Sequence, residues 1–132
     1  MFVWRISRKK FALDRTGYEA SIKGQRWNSA GIPAIYAGLT LEIAALEKLI
    51  HTGSVIPSDL VVVKITLPDD NNFYKIPQLN TLPDSWNAPP GSPTAATYGD
   101  SFLLKDRYLG LIVPSAIIAE AGNIVINPNI LE

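Results

Sequence analysis

The run Leu60-Val-Val-Val-Lys-Ile-Thr66 restricts the architecture of this chain more than any other segment. β-branched side chains are stiff and suit a pleated sheet better than a helix. A run this evenly apolar, closed by Pro68, reads as a central strand covered on both faces. Further strands are expected at residues 2–6, in the short apolar stretch 33–37 ending near Tyr36, at residues 108–113, around Ile117-Ile118-Ala119, and at residues 124–126. Between them, Thr40 is a fitting N-cap, Glu42 an acid in the first turn and Gly53 a stop, so residues 41–52 are predicted to form a helix. Residues 9–18 read as an irregular or partly helical connection, and 24–33 as a loop. Residues 68–93, rich in proline and asparagine, read mostly as loop. Ser92 and Pro93 open a second helix running to about residue 104. Strands at both ends with helices between them make an α+β domain whose termini share one sheet.

Length and composition fit that picture. The 132 residues suffice for one domain, residues 1–132, and 47% hydrophobic against 18% charged residues is a globular balance. The absence of cysteine removes disulfides, thiolate nucleophiles and zinc–cysteine sites, and His51 is the only histidine. No metal centre is expected. The first residues, Met1-Phe2-Val3-Trp4, run directly into Arg5, Arg8, Lys9 and Lys10, which is not the pattern of a secretory signal. No stretch approaches the roughly 20 apolar residues of a membrane span. A soluble cytoplasmic protein without a membrane partner is the expectation. Net charge is zero, but residues 1–26 carry seven Arg or Lys against Asp14 and Glu19. That excess suits an anionic substrate or a partner as well as it suits a solvated basic face, and it is too thin for a nucleic-acid platform.

Chemistry is concentrated in one third of the chain. Gly24-Gln25-Arg26-Trp27-Asn28 is followed by Tyr36 and then by Glu47 inside the predicted helix. Arginine offers a planar fork of donors to phosphate, tyrosine a stacking face with a hydroxyl, and glutamate an acceptor that holds sugar hydroxyls or stabilises a developing cation. These groups suit a nucleotide whose glycosidic bond is to be broken. Glu47 lies one helical turn from Ile43 and His51, among mainly apolar neighbours, so its carboxylate is expected to be sheltered. Glu42 and Lys48 fall on other faces and read as solvent charges. His51 has two roles open to it, a hydrogen bond to Glu47 or a cap on the helix end.

The segments Trp4-Arg5-Ile6, Gly24-Gln25-Arg26-Trp27-Asn28 with Gly31 and Pro33, Tyr36 with Glu47 eleven residues on, Tyr98-Gly99-Asp100, Val113-Pro114-Ser115 and Asn127-Pro128 together resemble the RES domain family. The likeness spans essentially the whole chain, with Gln25, Phe102 and Ile130 as departures. It implies a fold similar to that of ADP-ribosyltransferase toxins, and a toxin of a bacterial type II toxin–antitoxin system paired with an Xre-like helix-turn-helix antitoxin. It further implies consumption of NAD as a substrate rather than a cofactor, by hydrolysis, phosphorolysis or transfer. By the resemblance, Arg26, Tyr36, Glu47 and Ser115 carry the chemistry, with Ser101 the second candidate for the family serine. Arg26, Trp27, Asn28, Tyr36, His51 and Ser101 are the residues expected around the dinucleotide. In this reading Arg26 grips a phosphate, Tyr36 with Trp27 flanks the nicotinamide, Glu47 bonds the ribose, and Ser115 positions rather than attacks. A protein ADP-ribosyl or phosphoribosyl transferase and a non-catalytic nucleotide- or partner-binding module are the alternatives.

Overall fold

A computed structural model describes residues 1–88 and 93–131. Its elements are β1 (Phe2–Arg8), α1 (Tyr18–Lys23), β2 (Ile35–Gly38), α2 (Leu41–Thr52), β3 (Leu60–Thr66), β4 (Tyr74–Lys75), α3 (Pro93–Lys105), β5 (Gly110–Pro114) and β6 (Gly122–Ile126). The six strands form one sheet in the order β3-β1-β2-β6-β5-β4, antiparallel throughout except for the β4–β5 pair. This is the expected α+β domain. Both terminal strands lie in the one sheet, with β2 between them.

Helix α2 spans the predicted residues because its start signal is local: the Thr40 hydroxyl accepts from the Ile43 N–H at 3.2 Å. Helix α1 was not expected. The Asp14 carboxylate prepares it by accepting from the Thr16 N–H, the Thr16 hydroxyl and the Tyr18 N–H. The expected helix from Pro93 forms as α3, while Ser92, its expected cap, lies outside the described residues.

Two further expectations are corrected. Residues 117–119 form a turn and not a strand, because the Ser115 hydroxyl accepts from the N–H groups of Ile117 and Ile118 at 3.0 and 3.3 Å. The valine-rich β3 is an edge strand and not a central one. Its seven residues pair with β1 from Phe2↔Thr66 to Arg8↔Leu60, and Val62 on its open side is 55% exposed.

The register divides the apolar side chains between two faces. Tyr36 opposes Val125, which opposes Leu111, and these pack with Trp27, Ala20, Phe102 and Leu103. Ile35, Ala37, Ile124 and Ile126 face the other way, against Val3, Leu67, Tyr74 and Leu109. The core is thus densest around β2, β6 and β5. Strands β1 and β2, by contrast, share one pair only, Trp4↔Gly38. Where that register ends the sheet splits, and the split is the feature that positions the site.

Candidate active site

The first wall of the cleft is the Gly24–Asn28 turn, and it is fixed from several sides. Gly24 has φ +76°, and a Cβ there would lie 2.7 Å from the Asn28 carbonyl oxygen, so the sequence needs glycine at this point. The Gln25 N–H donates to both the carbonyl and the side-chain oxygen of Asn28, each at 3.0 Å, which leaves Arg26 and Trp27 at the tip of the turn. The Asn28 amide, 1% exposed, donates to the carbonyls of Ala20 and Ile32 at 3.0 and 2.8 Å. The Tyr36 hydroxyl donates to Asn28 at 2.7 Å and accepts from the Trp27 N–H at 2.9 Å. Burial, with the Asp100 charge nearby, pushes the Tyr36 phenol far above its ordinary range despite the Trp27 N–H that favours its anion. Tyr36 therefore stays protonated and acts as a tie, and it is among the residues that line the cleft.

Helix α3 clamps the same turn from outside. A Cβ on Gly99 would come within 1.8 Å of the Trp27 carbonyl oxygen, a contact no larger residue can make. One residue on, Asp100 accepts from the Ser29 N–H at 2.8 Å and from its hydroxyl at 2.5 Å. The Trp27 ring is 3% exposed, stacked on Trp86 at 6.1 Å and edge-on to Tyr98 at 6.0 Å. Arg26 donates from one guanidinium nitrogen to the carbonyls of Trp86 and Ala88, the first at 2.9 Å. Among the described residues it has no carboxylate partner, so its charge remains available to the cleft that it lines.

The second wall is α2. Glu47, Lys48 and His51 line the cleft from successive turns. Lys48, expected to be a solvent charge, is half-buried here. The Glu47 carboxylate accepts from the side-chain amide of Asn123 on β6, which fixes one oxygen and leaves the other to a ligand. His51 Nδ1 lies 2.7 Å from the backbone oxygen of Glu47, so this ring caps the helix end rather than binding the Glu47 carboxylate.

The third wall is the split itself. Leu39 N–H bonds to the Gly122 carbonyl, so in β2 the backbone groups of Ile35 and Ala37 serve β6 and those of Tyr36 and Gly38 point towards β1. Gly38 meets Trp4; the next rung would join Tyr36 to Ile6, and that rung is missing. The N–H and C=O of Ile6 and Tyr36 thus face the cleft without a strand partner. Arg5, on the same strand, is ion-paired to Glu19 at 3.2 Å with its side chain 13% exposed. Burial lowers its pKa while the Glu19 and Asp14 carboxylates support its charge. The cavity enclosed by these walls has a volume of about 480 Å³, the size of a small-ligand site.

Of the residues expected from the sequence, Arg26, Trp27, Tyr36, Glu47 and His51 converge on this cleft. Asn28 lies behind its wall, with its polar atoms consumed by the turn. Ser115, 1% exposed, spends its hydroxyl on the turn after β5, although its neighbours Pro114 and Ala116 reach the cleft. Ser101 is exposed on α3, away from the lining. Arg5, Lys23 and Asn123 were not among the expected residues. For Arg5 there was a signal: a charge in the middle of an otherwise apolar strand. Lys23 and Asn123 reach the cleft only through the packing of α1 and β6. Among the described residues no cluster of three potential metal ligands occurs.

Comparison with known proteins gives this geometry a family. The RES domain matches residues 2–131. The chain belongs to the RES domain family. It is 33% identical over 130 residues to the Toxin Res of Photorhabdus laumondii, covering 97% of this chain and 82% of that protein. It is equally identical over 130 residues to the Prs ADP-ribosylating toxin of a Sphingobium species, covering 95% and 81%, and to the Toxin Res of Yersinia enterocolitica, covering 97% and 84%. In this RES domain, then, Arg26, Tyr36 and Glu47 meet at a break in a six-stranded sheet. No described helix is long and apolar enough to cross a membrane.

Proposed function

We propose that this RES domain is the toxin of a toxin–antitoxin pair and cleaves the bond between nicotinamide and ribose in NAD. One observation carries the reading: the Glu47 carboxylate lines the same cleft as Arg5, Lys23, Arg26 and Lys48, and among the described residues Arg5–Glu19 is the cleft's only ion pair. Of the three carboxylates in the lining, Glu19 is paired with Arg5 and Asp14 is occupied by Thr16 and Tyr18. The cations favour a ligand with several phosphate charges, and Glu47, the carboxylate left with one uncommitted oxygen, favours a cation developing on the sugar. The unpaired N–H and C=O of Ile6 and Tyr36 are complementary to a primary carboxamide, which supplies a carbonyl acceptor and an NH2 group with two donors.

In the reaction the pyrophosphate binds to Arg26 and the neighbouring lysines, and the nicotinamide lies against the Tyr36 ring. Glu47, held by Asn123, accepts from the ribose hydroxyls and stabilises the oxocarbenium-like transition state. Nicotinamide leaves as a neutral molecule, so no strong general acid is required. With water as acceptor the products are ADP-ribose, nicotinamide and a proton; with phosphate the ribosyl carbon is esterified instead.

A second reading is transfer of ADP-ribose to a protein, favoured by the Sphingobium relative, which is named an ADP-ribosylating toxin. Under either reading the protein acts in the cytoplasm, and an Xre-like helix-turn-helix antitoxin covers the cleft. Incubation with NAD, with and without phosphate, followed by chromatography of nicotinamide and the ribosyl product, tests the chemistry. Release that Glu47→Gln abolishes supports cleavage, and label from NAD on a protein target selects transfer. No release under any of these conditions overturns the NAD reading.

A further inference from the structure

The free edge of the sheet holds information that the cleft does not use. Met1 and Leu67 exchange both backbone hydrogen bonds, and the Lys9 N–H donates to the Asp59 carbonyl at 3.0 Å. Antiparallel pairing alternates strictly, so the odd-numbered residues of β3 spend their backbone groups on β1. Leu60, Val62, Lys64 and Thr66 consequently direct N–H and C=O away from the sheet. Among the described residues no loop or helix backbone bonds to that row.

Natural sheets protect such an edge with proline, bulges or projecting charges. β3 has no proline, and its seven pairs with β1 run without a bulge. Its one charge does not project. The Lys64 ammonium lies 3.9 Å from the centre of the Phe2 ring and 5.3 Å from that of Trp4, held by cation–π attraction along the face of the sheet. What remains is an unbroken strand in which five of seven residues are β-branched, with Val62 55% exposed and Phe2, across from Thr66, 52% exposed.

We infer that β3 is the seam of a two-fold dimer, in which the edges of two copies pair antiparallel about Val63. The occupant is a second copy because the strand is complementary to itself in that one register. Centred on Val63, Leu60 opposes Thr66 and Val62 opposes Lys64, so each outward residue gains both backbone partners. On the opposite face Val61 meets Ile65 and Val63 meets its own equivalent, which are favourable β-branched pairs. Moving the centre to Lys64 sets two lysines directly opposite, and moving it to Val62 leaves Thr66 without a partner. The result is a continuous sheet of two domains, with the clefts on the far side of each β1.

Sedimentation of the purified chain at micromolar concentration tests this, and a dimer is the expected species. Val62→Pro removes an outward donor that the β1 pairing does not use, so the domain should stay folded while association weakens by about tenfold or more. Val62→Lys sets lysine against Lys64 of the other copy and should give a monomer, whereas Val62→Glu sets glutamate there and should keep the dimer. The lysine and glutamate variants decide the matter even if the proline variant fails to fold. A wild-type monomer overturns the inference. So does a dimer indifferent to Val62→Pro and Val62→Lys, or one that Val62→Glu disrupts as fully as Val62→Lys.

Discussion

The turn at Gly24–Asn28 and the helix α2 face each other across the cleft, and they use their polar residues in opposite ways. In the turn nearly every polar group is consumed internally: Asn28 by Ala20, Ile32 and Tyr36, the Tyr36 hydroxyl by Trp27 and Asn28, and Ser29 by Asp100. On α2, Glu47 has one fixed oxygen, and Lys48 and His51 extend towards the cavity. One wall is a scaffold that holds Arg26 in place, and the other carries the groups to which the proposed function assigns the chemistry. A cluster of polar residues in sequence therefore does not by itself mark reacting groups. Much of such a cluster serves to immobilise the few that react.

Mutations on the two walls should separate stability from activity. The largest effect is expected from Gly99→Ala, whose Cβ meets the backbone of Trp27 and cannot be relieved by a side-chain movement. A loss of about 3 kcal/mol or more is expected, read from urea unfolding. A variant of wild-type stability would show that the turn is not clamped by α3. Next, Glu47→Gln should lower NAD turnover by about a hundredfold, equivalent to about 2.7 kcal/mol of activation, with the unfolding midpoint unchanged. A parallel loss of stability would make α2 part of the scaffold as well.

Tyr36→Phe should cost about 1–2 kcal/mol of stability by leaving the Trp27 N–H and the Asn28 oxygen short of a partner. Its effect on turnover should be smaller than that of Glu47→Gln. The reverse, full stability with turnover abolished, would assign the hydroxyl to the substrate.

The smallest effect concerns pH. Burial works to raise the Asp14 pKa, but hydrogen bonds from Thr16 and Tyr18 and the nearby Arg5 charge hold it below its ordinary value. A depressed carboxylate stabilises the fold above the unfolded pKa of about 4, and that contribution is lost as pH falls through the folded value. Asp14→Asn should therefore show a flatter decline in stability on acidification below about pH 4. Identical acid limbs for the two proteins would remove Asp14 from the support of this side of the cleft.

How much was legible in the sequence follows from the range of each interaction. Helix α2 was readable because its cap joins residues three apart, and the loop at residues 24–33 because glycine and proline restrict their own backbone. Helix α1 was missed because it is short and its start depends on Asp14 accepting from Thr16 and Tyr18, further along an irregular segment without strong periodicity. Arg26, Tyr36 and Glu47 were expected together from residue type, order and family resemblance, and the fold brings them to one cleft. That the Tyr36 hydroxyl ties a turn, that Trp27 is stacked into the core and that Ser115 holds a turn depend on partners that order and spacing do not specify.

The linear order of residues was enough to place β1, β2, α2, β3, α3, β5 and β6, to class the chain as an α+β domain of the RES family, and to single out Arg26, Tyr36 and Glu47. Those properties reside in backbone preference, short-range capping and composition, which a linear reading reaches. Folding alone set β3 at the edge, parted β1 and β2 after Trp4 and Gly38, and brought Arg5, Lys23 and Asn123 into the lining of the cleft. Strand order is set by pairing between residues far apart in the chain. An apolar run records that a strand can be buried, and only the assembled sheet settles what lies on each side of it.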